Sequence, residues 1–435
     1  MPDKPLPPPP LSSLHPVHAS TLKLGMALPS TLYDEEGRLL LNRHHVIDTP
    51  KLLRALQEHP SLYTDTASIQ ATTKAILSGF DAATRLDMPL KDLDKVTPAP
   101  APPPTAAEPA RERPPVPRTL PQTWTDLEDS LRVTLGNLSL GGHAAADALR
   151  RLDGVVRQLQ AQMQAERDGS LFVLINRAVT DYTGYSTLHA LVCAALADDM
   201  AKRLPVSAAQ SDSLVRAALT MNVSARSLQD QMAGQKTRAT QSQLTEVDAH
   251  PGASMRLLQQ AGVADPLWLA VVERHHDELP HCPALNDRPE VDKLVKVLQV
   301  IDRYTAAMSP RGTRPGREAR EAVRSVIRSP GSTEHDEVGL DLMQHVGLYP
   351  PGTYVTLARG DVAVVLKRGR RPQEPLVATV LNARGEPVLE PRALSTDQEG
   401  CTVRAGLSGS AVKVRVNEAH MLRHIASART GLDGP

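Results

Sequence analysis

Aromatic residues are scarce. Two Phe, two Trp and seven Tyr amount to 3% of the 435 residues, so any core must be built from Leu, Val, Ala and Met. Cysteine is nearly absent as well: Cys193, Cys282 and Cys401 stand far apart and outside any C-x-x-C spacing. That spacing argues against a disulfide framework and against a cysteine zinc site. Charge of one sign is lacking, since Lys plus Arg and Asp plus Glu each total 49, which excludes a protein that coats nucleic acid through bulk charge. No apolar run approaches the roughly 18 residues of a membrane helix. The first thirteen residues are rich in proline and hold no apolar core of a signal peptide. The expectation is a cytoplasmic, soluble protein of two or three domains.

Proline, by contrast, is plentiful. Many of the 37 prolines fall in the first ten residues and in 97–121. Such segments bury too little apolar surface to fold and favour extended conformations. They divide the chain into a disordered Pro-rich start (1–13), a small α/β domain (14–96), a linker (97–122), a helical domain (123–347), a β-rich appendage (348–425) and a tail (426–435). A docking role for the polyproline stretch has no specific residue in its favour.

In the first domain, 24–28 and 31–33 followed by an Asp34-Glu-Glu-Gly turn and 39–41 read as strand, turn and strand, and 51–58 as a short helix. His44 and His45 have no further ligand at a useful spacing, and are read as loop histidines. After the linker, Leu149, Leu152, Val156, Leu159 and Met163 recur at threes and fours, the mark of an amphipathic helix packing on the chain's own core. Two heptads are too few for a coiled coil, although a homodimer through this seam remains open. Further helices are expected over 181–203, 207–222, 243–260, 266–276 and 292–308, then short strands over 354–357, 362–366, 377–381 and 412–416.

Five residues of the helical region carry ligand chemistry. His189 lies in the apolar Leu188-His-Ala-Leu-Val192, His250 opens a His-Pro step, His275 and His276 are adjacent, and Asp302 follows the apolar Val297–Ile301 run. A buried carboxylate needs a partner, and a lone histidine among apolar residues is usually hydrogen-bonded core. Together, four imidazoles and a carboxylate suit Fe, Mn or Zn.

The order of these elements, closing on Ile301-Asp302-Arg303-Tyr304, resembles the HD-GYP domain, a helical family whose active members hydrolyse the bacterial messenger cyclic di-GMP with two or three metal ions. The exit Val346-Gly-Leu-Tyr-Pro-Pro-Gly-Thr353 and the small unit ahead of the linker are similar to that family too. The fold the resemblance implies is mainly α: an HD-type helical domain with a small α/β N-terminal unit and a short β-rich C-terminal appendage. Counting back from His250 by the family's spacing brings the His-Asp dyad onto Met221 and Asn222, and its lysine onto Ala225. The Gly-Tyr-Pro loop is reduced to His281-Cys282-Pro283. Tyr185 stands where some members carry a carboxylate for a third metal. The literal His335-Asp336 pair falls too late in the chain and is a coincidence.

By that resemblance the first metal site keeps only His189 and Asp302, because Asn222 brings no charge and Met221 a soft thioether. The second keeps its three imidazoles, His250, His275 and His276, enough for one Fe, Mn or Zn ion. Three readings of these residues stand side by side: inherited core histidines with no metal, one residual metal, or two-metal catalysis. Arg274, Arg303, Arg311 and Arg314 are candidates for phosphate contacts, or simply solvated helix faces. The expected function is that of a degenerate, non-catalytic member that binds cyclic di-GMP, another nucleotide or a protein partner of a signalling pathway, and not nucleic acid. A working phosphodiesterase is the alternative, with Asp230 or His281 substituting in the dyad.

Overall fold

The computed structural model describes residues 14–17, 28, 31–34, 39–41, 47, 49–57, 62–65, 118–140, 142–280, 282, 284–327 and 335–428. By internal contacts the chain divides into two units, Met1–Pro114 and Pro115–Pro435.

The first unit holds β1 (Leu14–Val17), β2 (Leu32–Tyr33), β3 (Leu39–Leu41), α1 (Pro50–Gln57) and β4 (Leu62–Asp65). The strands form an antiparallel sheet in the order β1-β4-β2-β3. Leu28, Leu32, Ile47, Leu56 and Leu62 close a small core beneath it. Most of the strand expected over 24–28, the pair His44-His45 and the stretch 97–117 lie outside the described residues.

The second unit begins with α2 (Leu120–Leu138), which starts inside the stretch expected to be linker. Thr119 and Gln122 form a capping box there, and Pro121 occupies the first turn, where a missing N–H removes no helical hydrogen bond. Read by composition, that proline belongs to the linker; read by position, it starts a helix. α3 (Gly142–Ala165) packs on α2. Its seam residues Leu152, Val156, Leu159 and Met163 are fully buried in the chain's own core.

After α4 (Arg167–Thr180) comes α5 (Tyr185–Ala201), all seventeen residues of which are buried. Its sequence is apolar on every face, and a helix of that kind has to lie inside the bundle. α2, α3, α4, α6 (Ala208–Thr220), α7 (Arg226–Gly234) and α10 (Glu290–Met308) all pack against it. Two acids end it. Asp199 is held by both Nε and Nη2 of Arg167 at 2.6 Å, and Asp198 by Lys202 at 2.6 Å. α8 (Gln241–Gln260) and α9 (Pro266–Arg274) pack on each other, α9 also packs on α6 and α10, and α11 (Ala319–Ile327) and α12 (Glu337–Val346) follow α10.

The remainder is a five-stranded antiparallel sheet of β5 (Tyr354–Leu357), β6 (Val362–Lys367), β7 (Leu376–Leu381), β8 (Ala393–Ser395) and β9 (Val403–Leu407), in the order β8-β7-β6-β5-β9. Its alternation is strict: Val364 and Leu366 join the helical core, while Ala363 and Val365 join a second cluster with Tyr349 and Ala319. Gly352 fixes the docking. Its φ of +86° is one that side chains rarely adopt, and a Cβ there would stand 2.5 Å from the Asn176 nitrogen and 2.6 Å from the Phe172 carbonyl. Asn176 Nδ2 in turn donates to the Gly352 carbonyl at 2.8 Å.

The strand expected over 412–416 is absent. Val412 and Val416 alternate correctly but turn onto the helical core, leaving no strand for them to pair with. A 3-10 turn at Gly409–Ala411 precedes them, and α13 (Glu418–Ser427) follows. The molecule is mainly helical, with thirteen helices among the described residues and two small sheets, as the sequence led one to expect. No helix among the described residues is long and apolar enough to cross a membrane.

Candidate metal centre

The fold brings His250, His275 and His276 together, with ligand nitrogens all within 4.8 Å of one another. The His-Pro step explains how. Pro251 lies inside α8 rather than at its end. Having no N–H, it leaves the carbonyl of Val247 without its helical partner, and Nδ1 of His250 donates to that same carbonyl. His275 repeats the device at the last turn of α9, where carbonyls go unpaired: its Nδ1 donates to the Val272 carbonyl at 2.7 Å. His276 is exposed at the rim, its ring centroid 4.2 Å from that of His275 and 5.1 Å from that of His250.

These two bonds settle the chemistry of the opposite nitrogens. A carbonyl oxygen only accepts, so both Nδ1 atoms carry hydrogen, and in the neutral rings both Nε2 atoms are bare. Yet the two Nε2 atoms face each other at 3.0 Å. Two lone pairs at that distance repel unless a cation or a proton lies between them. A proton is disfavoured: burial lowers the His250 pKa, and burial with the neighbouring His276 and His250 rings lowers that of His275 to about 3. A divalent metal fits. Adjacent nitrogen ligands around it stand about 3.0–3.4 Å apart, and Nδ1-to-carbonyl bonds are the usual outer contacts of metal-binding histidines.

The other pair lies on α5 and α10. His189 Nε2 meets Asp302 Oδ1 at 2.8 Å, Nδ1 meets the Tyr185 hydroxyl at 3.2 Å, and Cys193 Sγ lies 3.5 Å from Nε2. Burial opposes charge on this ring, but Cys193, Tyr185 and the hydrogen bond to Asp302 bring its pKa well above the usual value. Burial alone would raise Asp302; the bond and charge of His189, with His275 and His276, pull it down to about 2. The Asp302 charge also acts on the His250 and His275 rings, raising the pKa of each against the effect of burial.

Met221 and Asn222 lie in the turn between α6 and α7, Met221 wholly buried and Asn222 nearly so, with Ala225 buried behind them. That turn rests on the His250 helix: Ser224 N–H donates to Ser254 Oγ at 3.2 Å and Ser224 Oγ to the His250 carbonyl at 3.1 Å. Asp230 is no substitute ligand, because it accepts from the backbone N–H and hydroxyl of Ser186 at 2.7 and 2.9 Å and so holds the first turn of α5. His281 lies outside the described residues. Asp336 caps α12 through Gly339 N–H and pairs with Lys296, which gives the literal His335-Asp336 sequence a structural role.

The arginines separate. Arg274 is spent on Asp277 and Asp292, at 3.0 and 2.8 Å, and Arg303 Nε donates to the Gln299 carbonyl on its own helix at 3.3 Å. Arg311 instead lies over the Tyr185 ring, 3.6 Å from its centroid, and that ring stacks on His189 with centroids 5.2 Å apart. Gly312 permits this: its N–H donates to the Ala233 carbonyl at 2.7 Å, and a Cβ would sit 2.6 Å from the carbonyls of Gly234 and Gln235. Burial and the charges of Arg311 and Arg317 lower the Arg314 pKa. Arg311, Arg314 and Lys413 line a cavity of about 440 Å³. Neither this cavity nor a neighbouring one of about 540 Å³, lined by Arg177, Glu418 and Lys413 among others, has a histidine in its wall. Sequence reasoning passed over Cys193 and the stacking of Tyr185, although both are one helical turn from His189.

No protein-family model matches the chain, and no curated protein matches it. Among solved structures, one described as an HDG"Y"P protein from Bdellovibrio bacteriovorus is similar, at 11% identity and a TM-score of 0.43, over 76% of this chain and 98% of that one.

Proposed function

We propose that this chain is a degenerate HD-GYP-like signalling protein that holds a divalent metal and acts by binding a nucleotide such as cyclic di-GMP, without hydrolysing it. The observation that carries the reading is the confrontation of His250 Nε2 and His275 Nε2 at 3.0 Å, with both Nδ1 atoms committed to carbonyls. Bare, converging nitrogens suit a metal. Hydrogen-bonded core histidines would alternate donor with acceptor.

A bound metal supplies Lewis acidity and positive charge to a phosphate. His250, His275 and His276 would hold it, and the Asp302 charge acts on two of those rings. Arg311, one ring away from His189, offers an anion contact in a cavity that it lines with Arg314 and Lys413 and whose volume is within the range that small ligands occupy. What hydrolysis would need is missing. Asn222 has no charge with which to join two cations, Met221 offers sulfur in place of imidazole, and Ala225 leaves no cation where the resembled family keeps a lysine.

The test is turnover and binding of cyclic di-GMP by the purified protein, loaded anaerobically with iron and separately with manganese, beside an active relative. Metal that is retained, binding weakened by Arg311→Ala, and no turnover are expected. Turnover lost in His250→Ala would instead make the chain an enzyme. Protein that retains neither metal nor nucleotide would make the histidines plain core residues and overturn the reading.

A further inference from the structure

The thiol of Cys193 plays no part in the function proposed above. It lies on α5 one turn beyond His189 and is wholly buried. A buried cysteine is by default a small apolar filler, but this sulfur lies 3.5 Å from a ring nitrogen, and the same nitrogen faces a carboxylate at 2.8 Å. His189 Nε2, Cys193 Sγ and Asp302 thus bring nitrogen, sulfur and oxygen within 4.8 Å of one another. The Tyr185 hydroxyl engages the far nitrogen of His189 at 3.2 Å, which is the outer contact that orients a ligating imidazole.

The distances suit a metal. Bond lengths of about 2.0 Å to nitrogen and 2.3 Å to sulfur, at a tetrahedral angle, set the two ligand atoms about 3.5 Å apart. Nitrogen and oxygen would stand about 3.3 Å apart by the same geometry, so the His189–Asp302 contact opens by about half an ångström when the shared proton gives way to a cation. Side chains at i and i+4 on one helix are the natural source of two such ligands, and α10 delivers the third.

We infer that Cys193 supplies the ligand that Met221 and Asn222 do not, so that His189, Cys193 and Asp302 form a sulfur-containing divalent metal site beside the three-histidine site. The inference rests on the reading that this cleft takes metal, and adds a site and a preference to it. Thiolate sulfur selects Zn²⁺ or Co²⁺ over Mn²⁺ or Mg²⁺. Binding proceeds with loss to solvent of two protons, that of the Cys193 thiol and the one shared by His189 Nε2 and Asp302, as the metal–sulfur and metal–nitrogen bonds form, with no change of oxidation state.

The experiment uses the full chain, stripped of metal and titrated anaerobically with cobalt(II). Wild type should take up two cobalt ions per chain and develop a sulfur-to-cobalt charge-transfer band in the near ultraviolet. Cys193→Ser should lose that band and one of the two ions, keeping its helical circular dichroism. The band should survive His275→Ala. The band should also survive Cys282→Ser and Cys401→Ser, which assigns it to the one remaining thiol even if Cys193→Ser fails to fold, and its loss in either of them overturns the Cys193 site. One cobalt per chain with no such band, abolished by His275→Ala, overturns the Cys193 site and leaves the three-histidine site standing. One cobalt with the band, indifferent to His275→Ala, supports the Cys193 site and removes the other. No cobalt uptake overturns both.

Discussion

Acid should destabilise the metal-free second unit in a window set by His275. In the fold this ring is buried and its pKa lies at about 3, while in the unfolded chain it returns to about 6.5. The unfolded state therefore binds the additional proton between those values. Stability from this group is complete above pH 6.5 and is lost as pH falls toward the folded value. The slope is at most about 1.4 kcal/mol per pH unit, so acidification from pH 6.5 to 4 removes about 3 kcal/mol. With an unfolding entropy of about 2.1 cal/mol/K per residue over the roughly 320 residues of this unit, that corresponds to a fall in Tm of about 5 °C. Carboxylates contribute their own acid loss, so the quantity to read is a difference. Thermal unfolding followed by circular dichroism at several pH values, in chelator, should show a steeper acid limb for wild type than for His275→Leu. Coincident slopes would mean that the ring is charged or solvated in the fold. The assignment of a bare, buried Nε2 would then be wrong.

Adding zinc to metal-free protein at one hundred times its Kd should stabilise it by about 2.7 kcal/mol, read as a rise in Tm of about 4 °C; the double variant His275→Ala, Cys193→Ser should show none. Asp302→Asn leaves His189 buried beside a neutral amide and should cost about 3 kcal/mol in denaturant unfolding. Unchanged stability would show that the pair contributes nothing to the fold. Gly352→Ala combines a φ of +86° with a Cβ 2.5 Å from backbone, and should cost about 3 kcal/mol or more, visible in the same assay. Asp199→Ala removes the two-point partner of the Arg167 guanidinium and leaves it Asp168 and the His345 carbonyl, and should cost about 2 kcal/mol; a midpoint shift near zero would refute that assignment.

The local elements of the helical unit were legible in the sequence because helix signals are local. Leu149 to Met163 show their seam, the apolar run around His189 announces a helix with no exposed face, and the helix expected over 243–260 is found as Gln241–Gln260. The ligand types and their order were legible too, since a His-Pro step and a His-His pair are visible as letters. Two elements misled for a physical reason. Pro121 looks like linker until its place in a first turn is seen. Val412 to Val416 alternate like a strand, and only the packing of Val412 and Val416 on the helical core shows otherwise. What tertiary structure alone decided is which atoms meet. The Val247 carbonyl freed by Pro251 orients His250 toward a ring from a different helix, and α10 carries Asp302 to His189 across more than a hundred residues of chain. Spacing in sequence fixes which residues share a helix face; which nitrogen is left bare depends on the partner that takes the other one, and that partner is supplied by the fold.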